Sequence, residues 1–158
     1  MVSCRLADLQ SSTDIQLIVA STQAYYSDEQ GMGVPMPSEV ADRLRDQLAS
    51  HPGLVVGLAF AGDLFAGSAL CVHSFGSFRA MPILNIHDLS VLPSYRGRGI
   101  GRALLAWAED HARSLGCSHV TLEVGHDNIR ARGLYRSVGY SVPENPNDPC
   151  TYFAKKAL

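Results

Sequence analysis

The sequence predicts one α/β domain, of the α+β type, with elements in the order β-α-α-β-β-β-α-β-α-β-β. Apolar runs of strand length alternate with segments whose apolar residues recur at helical spacing, and Gly or Pro clusters separate them. The chain has 158 residues, of which 46% are hydrophobic and 18% charged, a balance typical of one globular domain with a sizeable core. No repeat or linker interrupts this pattern. Residues 1–158 are therefore expected to form a single domain.

The N-terminal third predicts a strand followed by two helices. The strand runs from Val2 to Ala7, and Thr13 or Asp14 is placed to cap the first helix. The stretch YYSDEQGMGVPMP predicts a loop because it is rich in Gly and Pro. Ser38 then opens a second helix, which HPG from His51 to Gly53 ends.

Three strands are predicted next. LVVGLAF and LFAGSALCVHSF are joined by AGD, which fits a hairpin connection, and GSFRAMP leads into a strand that begins at Ile83. Side chains along a strand alternate between its two faces. Asn85 and His87 are therefore expected to share a face with Leu89, and Asp88 to point the other way, unless a bulge shifts the alternation.

The remaining segments predict two helices and the closing strands. Apolar residues from Ile100 to Leu115 form a helical stripe, and Gly116 stands where a C-terminal cap belongs. HVTLEV then predicts a strand. Asp127 or Asn128 is placed to cap a further helix, which Gly139 ends. YSV and TYFAKKAL predict two closing strands around a loop rich in Pro and Asn.

Composition excludes several classes of function. A net charge of −2 gives no general attraction to nucleic acid or to anionic membranes. The longest apolar segment, LVVGLAFAG, is too short to span a bilayer, and the N-terminus lacks the apolar stretch of a signal peptide. The histidines show no metal-ligand spacing, so no metal is expected. We expect a soluble, cytoplasmic protein with no nucleic-acid or membrane partner and with unpaired cysteines at Cys4, Cys71, Cys117 and Cys150.

The segment RGRGIGRALL, from Arg96 to Leu105, places three glycines between a predicted strand and a predicted helix. Such a turn is a general anion-binding device, because N–H groups at a helix start lack partners and the helix dipole is positive there. A nucleotide triphosphate loop is excluded, since Arg102 and Ala103 replace its Lys and Ser or Thr. A dinucleotide fingerprint fails because Arg102 and Leu104 stand where its last Gly belongs.

Two motifs carry a family resemblance. Arg96, Gly99 and Gly101 supply the pattern R-x-x-G-x-G, which resembles the acetyl-CoA pyrophosphate loop of the GNAT superfamily of N-acetyltransferases. The segment N-x-x-A-x-x-L-Y-x-x-x-G-Y, from Asn128 to Tyr140, is similar to the second conserved segment of that family. The resemblance covers Ile83 to Tyr140, whereas the first 50 residues match in element order alone.

The resemblance implies a fold and a co-substrate. The fold is a central mixed, mostly antiparallel sheet of about six to seven strands flanked by about four helices. The co-substrate is acetyl-CoA, whose pyrophosphate is held by backbone N–H groups while Arg96 adds charge or braces the loop. Its pantetheine inserts where the strand from Ile83 splays from HVTLEV, and an N–H there can stabilise the oxyanion. The residues expected at acetyl-CoA are Leu89, Ser90, Val91, Arg96, Gly97, Arg98, Gly99, Ile100, Gly101, Arg102 and Asn128.

The implied reaction is attack of a primary amine on the thioester. A base is needed because alkyl amines, with a pKa of about 10, are largely protonated near neutral pH. His87 is the first candidate because its unperturbed pKa is about 6.5, and Asp88 and Glu123 are the alternatives. Tyr135 matches the tyrosine that protonates the leaving thiolate in the family. Asn128 would hold the pantetheine amide or fix the end of the strand.

No motif specifies the acceptor. The resemblance implies a small-molecule amine or a peptide amine, bound by the loops YYSDEQGMGVPMP, SFGSFRAMP and SVPENPNDP, and it leaves a homodimer open. Tyr25, Tyr26, Asp28 and Glu29 are candidates to receive a cationic amine, although surface solvation explains the acids equally well.

Two other functions stay open. One is a module of the same fold that binds acyl-CoA as a sensor or regulator without turnover. The other is a protein-interaction domain that has lost the co-substrate. An interaction surface has no need of both motifs together, so their joint presence argues against the second alternative.

Overall fold

A computed structural model of the chain describes residues 1–143 and 151–158. Within them the strands are Val2–Leu6 (β1), Leu54–Ala61 (β2), Leu64–Gly76 (β3), Met81–Val91 (β4), His119–Gly125 (β5) and Thr151–Ala157 (β6). The α-helices are Ser12–Tyr26 (α1), Ser38–Leu48 (α2), Ile100–Ser114 (α3) and Ile129–Ser137 (α4).

The six strands form one sheet in the order β1-β2-β3-β4-β5-β6. Neighbouring strands are antiparallel except β4 and β5, which run parallel because α3 connects them across a face of the sheet. The prediction of a mixed, mostly antiparallel sheet flanked by helices is confirmed. Between Pro93 and Tyr95, a short 3-10 turn links β4 to the glycine-rich loop.

Two local predictions are wrong. Helix α1 is capped by Ser11, whose hydroxyl accepts a hydrogen bond from the Asp14 N–H, rather than by Thr13 or Asp14. The Asp14 carboxylate is buried and accepts two hydrogen bonds from Arg5, at 2.6 and 2.7 Å, because a paired guanidinium binds a carboxylate more strongly than a helix start does. The segment YSV forms no strand, and Ser141 makes only an isolated bridge to β6.

Separate apolar cores lie on the two faces of the sheet. On one face, Leu104 of α3 and Tyr135 of α4 pack against the buried side chains of the central strands. On the other face, Ile18 of α1 and Leu48 of α2 pack against β2. Helices therefore approach the centre of the sheet from both sides, and any opening between its strands is accessible to residues from both.

The described cysteines are Cys4, Cys71 and Cys117, and all three are free thiols. Burial raises the pKa of each thiol, most strongly that of Cys71, to about 12. They are therefore uncharged near neutral pH. The remaining cysteine, Cys150, lies outside the described residues.

Candidate active site

The main cleft opens where β4 and β5 separate. The two strands pair only at Leu84, Asn85 and Ile86 of β4, and beyond Ile86 they diverge. The resulting cleft has a volume of about 1230 Å³ and is bounded by both strands, the glycine-rich loop and the start of α4. The splay that the family resemblance implied is therefore present.

Backbone groups of β4 face this cleft. The N–H of Leu92 donates to the Ala66 carbonyl of β3 at 2.9 Å. Because successive backbone groups point to opposite sides of a strand, the N–H groups of Leu89 and Val91 point away from β3, into the opening. The Val91 carbonyl confirms this direction, since it accepts a hydrogen bond from the Arg96 side chain at 3.1 Å.

The glycine-rich loop presents backbone to the cleft. Gly97 and Gly99 have φ of 75° and 82°, which side-chain-bearing residues rarely adopt, and nothing lies within 4 Å of where their Cβ atoms would be. Gly99 is the N-cap of α3 and has no side chain to satisfy the first N–H groups of the helix. Gly101 packs closely on α4, since a Cβ there would lie 2.9 Å from Leu134 Cδ2. The loop therefore offers unpaired donors to an anion.

Arg96 braces the loop. Its Nε donates to the Val91 carbonyl, and its Nη2 donates to Asp28 Oδ2 at 2.8 Å. Asp28 also accepts a hydrogen bond from the Gln30 N–H. The bonds from Gln30 and Arg96, of which that from Gln30 contributes more, hold the pKa of the Asp28 carboxyl below its ordinary value. Of the two expected roles for Arg96, the geometry displays the bracing one, and it ties the glycine-rich loop to the segment after α1.

A β-bulge lies in the middle of β4. Cys71 of β3 pairs with Ile86, and its neighbour Leu70 pairs with Asp88, so His87 has no partner on β3. The expected sharing of a face by Asn85 and Leu89 is therefore wrong, because the extra residue reverses the alternation. Leu89 packs with the core under α3, whereas the next residue, Ser90, faces α1.

Asp88 lies on the α1 side of the cleft, half-buried. Within the described residues its carboxylate makes no hydrogen bond. Burial raises its pKa, an effect that the neighbouring His87 partly offsets. His87 itself lines the cleft with an exposed side chain, and Glu123 is exposed on β5 just beyond its last pairing with β4. All three candidate bases thus lie at the cleft, in different surroundings.

Two tyrosines approach the opening from opposite faces of the sheet. Tyr135 of α4 is buried and lines the cleft, and burial, reinforced by Tyr25, raises its pKa to about 12. Tyr25, at the end of α1, lines the cleft from the other face, and its pKa is raised by burial and then by Asp88 and Asp28. Both phenols are therefore protonated near neutral pH.

The residues expected at acetyl-CoA differ in the contacts that their side chains make. Ser90 donates to the Ser21 carbonyl of α1 at 3.0 Å, Arg102 donates to Ser137 at 2.9 Å, and Asn128 caps α4 by accepting from the Ala131 N–H at 3.1 Å. Arg98 lies over the Tyr95 ring rather than in the cleft lining. The cleft lining includes the expected residues Leu89, Ser90, Val91, Arg96, Gly97, Gly99, Ile100, Gly101, Arg102 and Asn128.

The expected acceptor loops contribute unequally. The loop after α1 lines the cleft with Asp28, Glu29 and Gln30, whereas the Tyr26 side chain is not part of the lining. SFGSFRAMP lies in the hairpin between β3 and β4 and contributes nothing to this cleft. Most of SVPENPNDP, namely residues 144–149, lies outside the described residues. Sequence reasoning did not select Arg130, which also lines the cleft, because a helix arginine is more often solvated.

Residues 1–143 and 151–158 contain neither a candidate metal site nor a candidate membrane-spanning helix. No group of three or more His, Cys, Asp or Glu side chains there could hold a metal ion. None of the helices in that part of the chain combines the length and apolarity needed to cross a membrane.

The chain is similar in sequence to known proteins. The model of the Acetyltransferase (GNAT) family matches residues 20–140. Streptothricin acetyltransferase of Streptomyces lavendulae is 41% identical over 86 residues, covering 54% of this chain and 43% of that protein. N-alpha-acetyltransferase RimI of Mycobacterium tuberculosis is 51% identical over 55 residues, covering 35% and 33%. The chain thus spans less than half of the length of both relatives.

Among solved structures, the PaiA N-acetyltransferase of Thermoplasma acidophilum, in complex with coenzyme A, superposes with a TM-score of 0.71. That comparison covers 100% of this chain and 99% of the other, at 16% identity. At such low identity the similarity supports the fold alone.

Proposed function

This chain belongs to the GNAT acetyltransferase family, and from that premise we propose that it is an enzyme that transfers an acetyl group from acetyl-CoA to a primary amine. The observation that carries the proposal is Asp88, a half-buried carboxylate with no hydrogen-bond partner among the described residues, beside unpaired backbone donors in the cleft. A binding module needs the donors but has no use for such a carboxylate.

The cleft fits acetyl-CoA. The positive φ and open surroundings of Gly97 and Gly99 let a pyrophosphate approach the N–H groups at the start of α3, where the helix dipole favours negative charge. Arg102 and Arg130 line the same end of the cleft and add positive charge. The pantetheine would extend along the splay, using backbone groups of Leu89 and Val91 as a neighbouring strand would.

Asp88 is proposed as the base. Its side chain faces the α1 side of the cleft, and burial raises its pKa, so the carboxylate accepts a proton more readily than an exposed one does. His87 and Glu123 remain the alternatives, but both are exposed, so water competes with the acceptor amine for hydrogen bonds to their side chains.

Tyr135 is proposed as the acid, and a β4 N–H as the oxyanion donor. The phenol is protonated near neutral pH, since its pKa is raised to about 12, so it holds a proton that it can donate as the thiolate departs. The N–H of Leu89, which points into the splay, is placed to stabilise negative charge on the thioester oxygen.

The acceptor is proposed to be a cationic amine. The cleft lining includes the acidic residues Glu29, Asp88 and Glu123, whereas its arginines belong to the glycine-rich loop, α3 and α4. An amine with a second positive charge would be attracted to these acids. The streptothricin and RimI enzymes among its relatives keep both small-molecule amines and peptide N-termini within the proposal.

The test combines a panel of amines with pH profiles. The wild-type protein is expected to release free thiol from acetyl-CoA with at least one cationic amine. Asp88→Asn should lower kcat/KM by about 10²- to 10³-fold and remove the acidic limb of the profile, because that limb reports deprotonation of Asp88. His87→Ala and Glu123→Gln are the matched controls, expected within about threefold of wild type. Loss of the acidic limb in either control, with Asp88→Asn unchanged, would reassign the base.

Tyr135→Phe separates chemistry from binding. It should lower kcat by about 10²-fold and leave acetyl-CoA affinity within a few fold, since the ring still packs. If acetyl-CoA raises Tm but no amine yields turnover, the non-catalytic acyl-CoA sensor is the correct function.

A further inference from the structure

A second pocket lies at the end of the sheet opposite the cleft, with a volume of about 290 Å³. It shares no residue with the cleft, so it cannot be an extension of the acetyl-CoA site. We name it the basal pocket. Its lining comes from the β3–β4 turn, the first residue of β5, the segment after α4 and the end of β6: Arg79, His119, Gly139, Ser141, Lys155, Lys156 and Ala157.

The basal pocket carries positive charge that no described residue neutralises. The side chains of Arg79 and Lys155 make no ion pair or hydrogen bond in the part of the chain that the structure describes. Lys156, in contrast, donates to Glu109 at 2.7 Å and to the Val138 carbonyl at 2.6 Å. Two cations of this concave site are therefore left without partners among residues 1–143 and 151–158, in a protein whose net charge is −2.

The pKa of His119 reflects this positive charge. Burial lowers its pKa, and Arg79 and Lys155 lower it further, with no carboxylate of the described residues acting in the other direction. Its Nδ1 is within 2.8 Å of the Ser118 hydroxyl, which fixes the ring and leaves Nε2 available. Converging cations beside a neutral imidazole of fixed orientation are the groups that phosphate-binding sites use.

We propose that the basal pocket binds a phosphate group, either as inorganic phosphate or as the phosphate of a small monoester. A dianion compensates the charges of Arg79 and Lys155 together, which a monoanion cannot do. The volume exceeds the roughly 30 Å³ that one water occupies by enough to accept a phosphate with a short organic group. This proposal is independent of the acetyl transfer proposed above.

The test uses the intact chain saturated with coenzyme A, so that the glycine-rich loop does not compete for phosphate. NMR chemical shifts of His119 are followed during additions of inorganic phosphate and, separately, of glycerol phosphate, at constant ionic strength kept with sodium chloride. Saturable shifts and a rise in the His119 pKa are expected. Tighter binding of the ester than of inorganic phosphate would identify a monoester site, and the reverse order a site for the free ion.

Substitutions in the basal pocket test whether the phosphate binds there. Arg79→Ala and Lys155→Ala should each weaken phosphate binding by about tenfold, because each removes one charge-assisted hydrogen bond. Arg45→Ala is the matched control, since Arg45 lies on α2 and pairs with Asp42. Each pocket variant should also raise the His119 pKa without phosphate, which checks the geometry independently. Shifts that do not saturate, or equal affinity in wild type and both pocket variants, would overturn the proposal.

Discussion

The two halves of β4 differ in what their backbones do. From Leu84 to Ile86, the strand pairs with β3 on one side and β5 on the other, and the Asn85 side chain donates to Thr121 across the parallel pair at 3.0 Å. From Asp88 onward it pairs with β3 alone. The first half is ordinary sheet, whereas the second leaves N–H and C=O groups for a ligand. The change falls at the extra residue, His87, which also reverses the alternation of the side chains that follow it.

Deletion of His87 should remove this difference between the two halves of β4. We expect it to have the largest effect on acetyl-CoA affinity. The pairs Cys71–Ile86 and Leu70–Asp88 stay in register without it, so β4 becomes regular and loses the bend that separates it from β5. Acetyl-CoA affinity should fall by about 100-fold, because several backbone hydrogen bonds to the ligand are lost together. Calorimetry measures the affinity and circular dichroism the retained fold.

The control for this deletion is His87→Ala, which keeps the extra residue. Its acetyl-CoA affinity should stay within about threefold of wild type, since only an exposed side chain is removed. Full affinity in the folded deletion variant would show that the splay does not depend on the bulge.

This contrast also explains how far the sequence could predict the molecule. The elements, their order and the glycine-rich loop follow from periodicity and turn chemistry, which are local. The bulge at His87 depends on pairing between β3 and β4, and no local pattern marks it. The same holds for the contact between Arg96 and Asp28, which are 68 residues apart in sequence. The site residues could be named, but the relative placement of His87 and Asp88 could not.

A smaller effect is expected at Gly99, where the splayed half of β4 meets α3. Gly99→Val should weaken acetyl-CoA binding by about 30-fold, because a side chain fills the space for the pyrophosphate and the positive φ is strained. Arg96→Ala should weaken binding by less, about threefold to tenfold, because its hydrogen bonds brace the loop rather than the ligand.

Gly116→Val is the matched control for Gly99→Val. Gly116 follows the other end of α3, has a φ of 68° and also has nothing within 4 Å of an added Cβ. It should therefore destabilise the fold similarly and leave acetyl-CoA affinity unchanged. Equal losses of affinity at the two glycines would attribute the effect to strain instead of to the ligand.

The smallest effect is expected on stability, and it compares Asp88 with Asp14. The Asp88 carboxyl has a raised pKa in the folded state, so the folded protein holds this proton at pH values where the unfolded chain has lost it. Its contribution to stability is present below the unfolded pKa of 3.8 and is lost as pH rises through the folded value, which leaves an unfavourable buried charge at pH 7. Asp88→Asn, which cannot ionise, should therefore raise Tm at pH 7 by about 2 °C, with the difference shrinking toward pH 4.

The pKa of Asp14 is shifted in the opposite direction, because Arg5 lowers it. Asp14→Asn should lower Tm at pH 7. The difference in Tm between this variant and wild type should shrink as pH falls through the folded pKa of Asp14, which lies below 3.8. Thermal unfolding of the two variants and wild type from pH 2 to pH 8 measures both trends. A lower Tm for Asp88→Asn at pH 7 would mean that the carboxylate is stabilised in the fold, and it would contradict the raised pKa on which the assignment of Asp88 as the base depends.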